Sequence, residues 1–337
     1  MTVSAKTSRS RLTSSVNGKD PSGSAPSFKE IKRRDLLSIE HLPLATIIHL
    51  LDRSDHYVEF LKQRGPFQKS KLLEGRTVAN LFFEASTRTR TSFELAERRL
   101  GADVTTLTPA VSSLTKGESV LDTVRVLEAM KVDAFVVRHN VSGVPQFLSG
   151  RLPDDVHVVN AGDGVHEHPT QALLDAAELR AALGDLTGKH IAIVGDILHS
   201  RVARSNAWLL NKLGACVTFV APETLMPRMA DEVFGVETTN NLDDVIESAD
   251  AIMMLRIQLE RQARGFFPSL EEYRAQYGLT PERMANSKAL VLHPGPINHG
   301  TELESETAYG ERSLVLRQVK RGVAVRMAVM EWIFETK

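Results

Sequence analysis

A single cysteine, Cys216, in 337 residues excludes an internal disulfide and any zinc site built from a cysteine cluster. Cys216 stands in an apolar, strand-like run with Val217, Phe219 and Val220, so it is expected to be a small buried hydrophobe in a reducing, cytoplasmic setting. No apolar run approaches the roughly 18 residues that a membrane span needs, and no apolar stretch near the start suits secretion. The glycines of a dinucleotide fingerprint are also missing. Ile191-Ala192-Ile193-Val194 runs into Gly195-Asp196-Ile197-Leu198-His199-Ser200-Arg201 without a second or third glycine, which disfavours a nicotinamide or flavin site. His166 and His168 lie close in sequence but find no convincing third ligand, so no metal is expected. A formal net charge of −1 gives no overall basic balance for nucleic acid.

What is present is a globular composition, 42% apolar and 25% charged, in a length that suits two domains, each with its own core. The charge is unevenly placed. Residues 1–34 carry eight Lys or Arg against Asp20 and Glu30, a net +6 that leaves −7 for the remainder. Rich in Ser and Gly and poor in large apolar residues, this extension is expected to be disordered in isolation. A solvated tail, a docking arm and an organelle transit peptide all fit it.

The most informative stretch is 77–100. Val78, Leu81, Phe82 and Phe83 read as a buried strand, and Phe93, Ala96 and Leu100 then recur at helical spacing. Ser86 or Thr87 can cap that helix, yet its first turns hold Arg88 and Arg90 and no acid before Glu94. The positive end of a helix dipole favours carboxylates by roughly 0.3 to 1 kcal/mol each, so two arginines there invite an anion from outside. Free backbone N–H groups, two hydroxyls and a guanidinium would form a phosphate cradle without a glycine-rich loop. The alternative is an ordinary surface helix in which Arg90 pairs with Glu94.

Strands and helices alternate along the rest of the chain. A helix is expected over 43–63, stopped by Arg64-Gly65-Pro66, and Gly101 ends the central helix before a strand at 103–107. The polar loop 108–117 offers Ser113 and Lys116 to an anion, although a loop lysine without that role fits equally well. Strands at 134–137 and 251–255 end in Arg138-His139 and Arg256-Ile257-Gln258, where ligands bind in parallel α/β architecture. The strand at 156–160 leads through a turn at 161–167 to a helix capped by His168, with Pro169 first and Gln171 one turn in. Polar helices are expected over 265–287. Two prolines fix the backbone of His293-Pro294-Gly295-Pro296, and Leu316, Val319, Val323, Met327, Met330 and Phe334 trace a helical stripe expected to pack in the core. Two runs of alternating type imply an α/β fold of two parallel-sheet domains, here placed at 35–167 and 168–337, with the last helix packing back on the first domain and the active site between them.

Arg88, Arg138, Arg201, Arg256 and Lys116, together with Thr87, Thr89, His168 and Gln171, contain no nucleophile with a paired base. That composition suits joining or splitting two strongly anionic molecules by positioning and electrostatics. In order, Phe83-Glu84-Ala85-Ser86-Thr87-Arg88-Thr89-Arg90, Lys116-Gly117-Glu118, Arg138-His139, His168-Pro169-Thr170-Gln171, Val194-Gly195-Asp196, Arg256-Ile257-Gln258 and His293-Pro294-Gly295-Pro296 resemble the aspartate and ornithine carbamoyltransferase family, over nearly all of 35–335.

The resemblance implies carbamoyl transfer from carbamoyl phosphate to L-aspartate in pyrimidine synthesis, without a cofactor. It places Ser86, Thr87, Arg88 and Thr89 on the phosphate, and Thr89, Arg138 and His168 on the carbamoyl oxygen. Gln171 and the Gly295-Pro296 backbone would hold the carbamoyl NH2, while Arg201, Arg256 and Gln258 would take the aspartate carboxylates. Ser113 and Lys116 would reach a neighbour's site in a homotrimer, and a dihydroorotase-like or regulatory chain is a further possible partner. Where the family often has Leu or Ala, this chain has Gly295, which would alter local stiffness only. Ornithine as acceptor would call for a Cys near position 295 and an Asp-rich second-substrate motif, and neither is present. The other alternative, a non-catalytic subunit, is opposed by intact Arg88, Lys116, Arg138 and His168.

Overall fold

The computed structural model of the chain describes residues 33–62, 69–108, 119–257 and 269–335. The proposed helix stop at 64–66, the loop residues Ser113 and Lys116, and Gln258 lie outside these. The first lobe contains α1 (Leu44–Lys62), β1 (Thr77–Phe82), α2 (Thr87–Leu100), β2 (Asp103–Leu107), α3 (Val120–Ala129), β3 (Ala134–His139), α4 (Val144–Ser149) and β4 (His157–Asp163). Then come α5 (Pro169–Leu183), β5 (His190–Val194), α6 (Arg201–Lys212), β6 (Cys216–Val220), α7 (Ala230–Phe234), β7 (Glu237–Thr239), β8 (Ala251–Met254), α8 (Leu270–Tyr277), β9 (Leu290–Leu292), α9 (Ser305–Ala308) and α10 (Val315–Phe334). None of the described helices is long and apolar enough to cross a membrane.

The strands form two wholly parallel sheets, β2-β1-β3-β4 and β7-β6-β5-β8-β9. Both faces of the first are covered over β1 and β3, which is why those strands read as near-continuous apolar runs, while the edge strand β2 stays partly exposed. Val78 and Phe82 face one way into the main core, and Ala79 and Leu81 face the other into a smaller cluster with Val124, Phe135, Val137 and Leu148. In each sheet the strand order reverses once, between β1 and β3 and between β5 and β8. The carboxyl ends beside such a reversal open a crevice, because the connecting helices leave in opposite directions.

The expectation of a separate core for each domain does not hold. One continuous apolar cluster joins Leu50, Phe93 and Val136 of the first lobe to Leu173, Ile193 and Met254 of the second. Helices α5 and α10 make that continuity, since α10 packs on α1, α2 and α5. Polar bonds add to it around residues 39–42. Lys212 donates to the carbonyls of Ile39, Glu40 and Leu42 at 2.9, 2.6 and 2.8 Å. The Glu167 carboxylate accepts from the Ile39 and Glu40 amides at 2.8 and 3.2 Å, and from the Ser205 hydroxyl at 2.8 Å.

Other expectations also shift. Cys216 is exposed, as the first residue of β6, and burial begins with Val217. Leu316 and Val319 are 60% and 53% exposed, since they lie on the outer side of the first turns of α10, whose inner side buries Val315, Gln318 and Arg321, and only the later part of the stripe is core. Of the described residues in 265–287, only α8 is helical, for Gly278 caps it and Pro281 follows. β4 runs on to Asp163 past a register shift against β3. Arg33 and Arg34, assigned to the extension, belong to the folded body. Arg33 pairs with Asp35 at 3.1 Å and donates to the Ser149 carbonyl, Arg34 pairs with Glu335 at 2.7 Å, and Leu36 bridges to Val159 at the β4 edge.

Glu97 on α2 is fully buried and accepts from Asn80 Nδ2 at 2.7 Å. Burial pushes its carboxyl up from 4.5 to about 8 against that hydrogen bond. The folded state therefore keeps a proton that the unfolded chain releases, so this contribution to stability is lost as pH rises from 4.5 through about 8. Glu97→Gln is expected to raise stability at pH 8 by on the order of 2 kcal/mol and to flatten its decline above pH 5. Urea unfolding of both proteins at several pH values measures this, and parallel curves would count against a buried protonated acid.

Candidate active site

Ser86 ends the segment after β1 in extended conformation, and its hydroxyl accepts from the Thr89 amide at 3.4 Å, so it is the cap of α2. Thr87 and Arg88 stand in the exposed first turn, and Thr89 is 8% exposed behind them. The two arginines then divide. Arg90 takes the local partner, with Nε 3.8 Å from Glu94. Arg88 instead crosses to the other lobe, where its guanidinium lies so close to the Gly295 backbone that a Cβ there would sit 2.7 Å from Cζ. Burial and the charge of Arg256 both lower the Arg88 pKa, so two cations from different sheets face one another here.

The second cluster forms around Glu84, just past β1. Arg138 Nη2 donates to Glu84 Oε1 at 2.7 Å, and Arg201 donates to both carboxylate oxygens, Nη1 at 2.9 Å and Nη2 at 2.5 Å. Arg138 also donates to the Ala161 carbonyl and Arg201 to that of Gly164, both at 3.2 Å. Gly162, at φ +115°, lets them converge, since a Cβ there would meet Arg138 Nη1 at 3.0 Å and Arg201 Cζ at 3.2 Å. His168 lies beside them, 4% exposed, with its amide donating to Ser205. Burial, then Arg138, Arg201 and the buried Arg326, hold its pKa well below 6.5. It is therefore a neutral imidazole at neutral pH, able to donate one N–H while adding no charge. His166 turns to Asp163 instead, at 3.0 Å, and no metal-binding group of three His, Cys, Asp or Glu occurs among the described residues.

The amide side of the site comes from α5 and the loop after β9. Gln171 Nε2 donates to Asp175 at 2.9 Å, which leaves its carbonyl oxygen as the acceptor. In the loop, the Gly295 amide donates to His293 Nδ1 at 2.8 Å, and the Gly295-Pro296 peptide is cis.

Residues 34–181 match the sequence model of the aspartate/ornithine carbamoyltransferase carbamoyl-P binding domain, and 187–333 that of the Asp/Orn binding domain. The chain belongs to the aspartate/ornithine carbamoyltransferase family. An aspartate carbamoyltransferase catalytic subunit of Desulfitobacterium hafniense is 51% identical over 300 residues, covering 88% of this chain and 95% of its own. One from Azorhizobium caulinodans is 51% identical over 306 residues, covering 90% and 94%. Among solved structures, Trypanosoma cruzi aspartate transcarbamoylase in complex with carbamoyl phosphate and aspartate superimposes with a TM-score of 0.79 at 30% identity, covering 91% and 98%.

Within this carbamoyltransferase fold, Arg88, Arg256 and Gly295 come together at one place, and Arg138, Arg201 and His168 at another. Glu84, Gly162 and Arg326 are the residues that motif reasoning missed. Glu84 had a signal, as the one acid at the carboxyl end of β1, where ligands bind in such sheets. Gly295 does more than set stiffness. It sits at φ +66°, which costs an alanine about 1 kcal/mol, and its missing side chain is the space Arg88 uses. Gly295→Ala is expected to displace the Arg88 guanidinium and weaken inorganic phosphate binding several-fold, with little change in melting temperature. Titration calorimetry checks this, and unchanged affinity would mean that Arg88 does not depend on that close approach.

Proposed function

We propose that the chain transfers the carbamoyl group of carbamoyl phosphate to the amine of L-aspartate, giving N-carbamoyl-L-aspartate and phosphate. The observation that carries this is the pair of cationic clusters at the ends of the two sheets, Arg88 beside Arg256, and Arg138 with Arg201 beside a neutral, buried His168. Relatives about half identical to this chain are named as aspartate carbamoyltransferase catalytic subunits, which supports aspartate as the acceptor.

In this scheme the α2 amino terminus, Ser86, Thr87, Arg88 and Thr89 hold the phosphate. Thr89, Arg138 and His168 donate to the carbamoyl oxygen as the amine attacks and negative charge builds there. Gln171 Oε1 and the Gly295-Pro296 backbone accept the carbamoyl N–H groups. Arg201, Arg256 and Gln258 take the carboxylates of aspartate. Arg201 can share a ligand with Glu84, since a guanidinium has five donors. The departing phosphate accepts the proton of the amine, so no side-chain base is needed. Residues 35–167 form the carbamoyl-phosphate domain and 168–337 the aspartate domain. The chain works in the cytoplasm as a homotrimer in which Ser113 and Lys116 complete a neighbouring site, and the basic extension serves association with another chain of the pathway.

Ornithine ends in an ammonium that either Arg201 or Arg256 would repel. Arg256→Ala should therefore raise the KM for aspartate far more than that for carbamoyl phosphate, and lower kcat as domain closure weakens. Arg88→Ala should weaken carbamoyl phosphate binding by roughly 30-fold or more, as for the loss of one member of a desolvated charge pair. Steady-state kinetics with each substrate varied in turn tests both, and a wild-type chain that carbamoylates ornithine faster than aspartate would overturn the assignment. For site sharing, mixing inactive Lys116→Ala chains with inactive Arg88→Ala chains should restore partial activity. Mixed assemblies as dead as either parent would exclude it.

A further inference from the structure

Behind the proposed carbamoyl site, α5 turns one carboxylate toward three amides. Asp175 is fully buried; its Oδ1 accepts from Gln171 Nε2 at 2.9 Å and Gln318 Nε2 at 2.7 Å, and its Oδ2 from Asn206 Nδ2 at 2.9 Å. Burial pushes the carboxyl up to about 7 while the three amides hold it down, so above neutrality it is ionised. An ionised carboxylate only accepts, and each amide must therefore show it the NH2 and turn its carbonyl away. For Gln318 a second bond agrees, since the His293 amide donates to Oε1 at 3.0 Å. His293 Nδ1 then accepts from the Gly295 amide, which leaves its proton on Nε2, 3.4 Å from Glu302. One directed run of hydrogen bonds thus links α5, α10 and the loop after β9.

We infer that Asp175, acting through Gln171 and Gln318, is the positioning residue of the carbamoyl NH2 subsite. It fixes Gln171 Oε1 as one acceptor and, by way of Gln318 and His293, holds the Gly295-Pro296 backbone as the other. This rests on the function proposed above. Ser86 bonds within α2, and the phosphate cradle meets this network only where Arg88 approaches Gly295. Damage to it should therefore separate the two halves of one substrate. An asparagine at 175 would turn an N–H toward at least one amide NH2, and that amide would have to flip or withdraw.

The test compares wild type, Asp175→Asn and Gln318→Met by calorimetry at pH 8 against carbamoyl phosphate and inorganic phosphate, with melting temperatures recorded. Both variants should bind carbamoyl phosphate about tenfold or more weakly while phosphate affinity stays within about twofold, the size expected for one stranded buried donor. Gln318→Met leaves Asp175 two amide partners, so it decides the matter if Asp175→Asn does not fold. Parallel losses of both ligands, or of neither, would overturn the inference while leaving the proposed function standing. A wild-type chain that binds phosphate but not carbamoyl phosphate would remove both.

Discussion

Crowding cations is the constraint on which the rest of this structure depends. Four guanidiniums are delivered to the carboxyl ends of two sheets, and like charges at close range raise one another's energy steeply where water is scarce. Glu84 answers half of the problem by sharing one carboxylate between Arg138 and Arg201. The other half shows in the lowered pKa of Arg88 beside Arg256. His168 fits the same logic, for a buried imidazole among three arginines can contribute an N–H but cannot hold another proton. A cleft so arranged has a standing preference for anions before any substrate-specific contact is made.

The backbone makes this crowding possible by being absent at chosen places. Gly162 and Gly295 both have positive φ, and in each case the volume of a missing Cβ is taken by an arginine. The switch points supply direction as well, since β1 and β3 in one sheet, and β5 and β8 in the other, send their ends toward the cleft while their helices diverge. Precision of placement thus comes from strand ends and helix starts rather than from long loops.

Much of this was legible in the sequence where the cause is local. The Ser86 cap, the stop at Gly101, the His168-Pro169 helix start and the alternation of strand with helix all follow from a few adjacent residues, and the structure has them where the pattern placed them. What escaped was decided by partners far away. Nothing near Glu84 shows that Arg138 and Arg201 will meet on it. Asp175 and Gln318 look like the polar face of amphipathic helices, yet both side chains are buried. Periodicity found the stripe on α10 but could not show that in its first turns Leu316 and Val319 face outward while Val315 and Gln318 face the core. The continuous core was equally invisible, because composition suggests how much core a chain can bury and not whether it divides.

The position of α10 has a consequence for how the protein is made. Its packing surface against α1 and α2 belongs to the first lobe, yet it leaves a ribosome after every other described element. Roughly 150 residues separate the end of α5 from the end of α10, which at about 5–20 residues per second is some 8 to 30 seconds of synthesis. During that interval the apolar faces around Leu50 and Phe93 have no permanent cover. The first lobe must therefore wait, partly open, for α10 to arrive, and it is in that waiting state that the chain is most exposed to aggregation and to proteases.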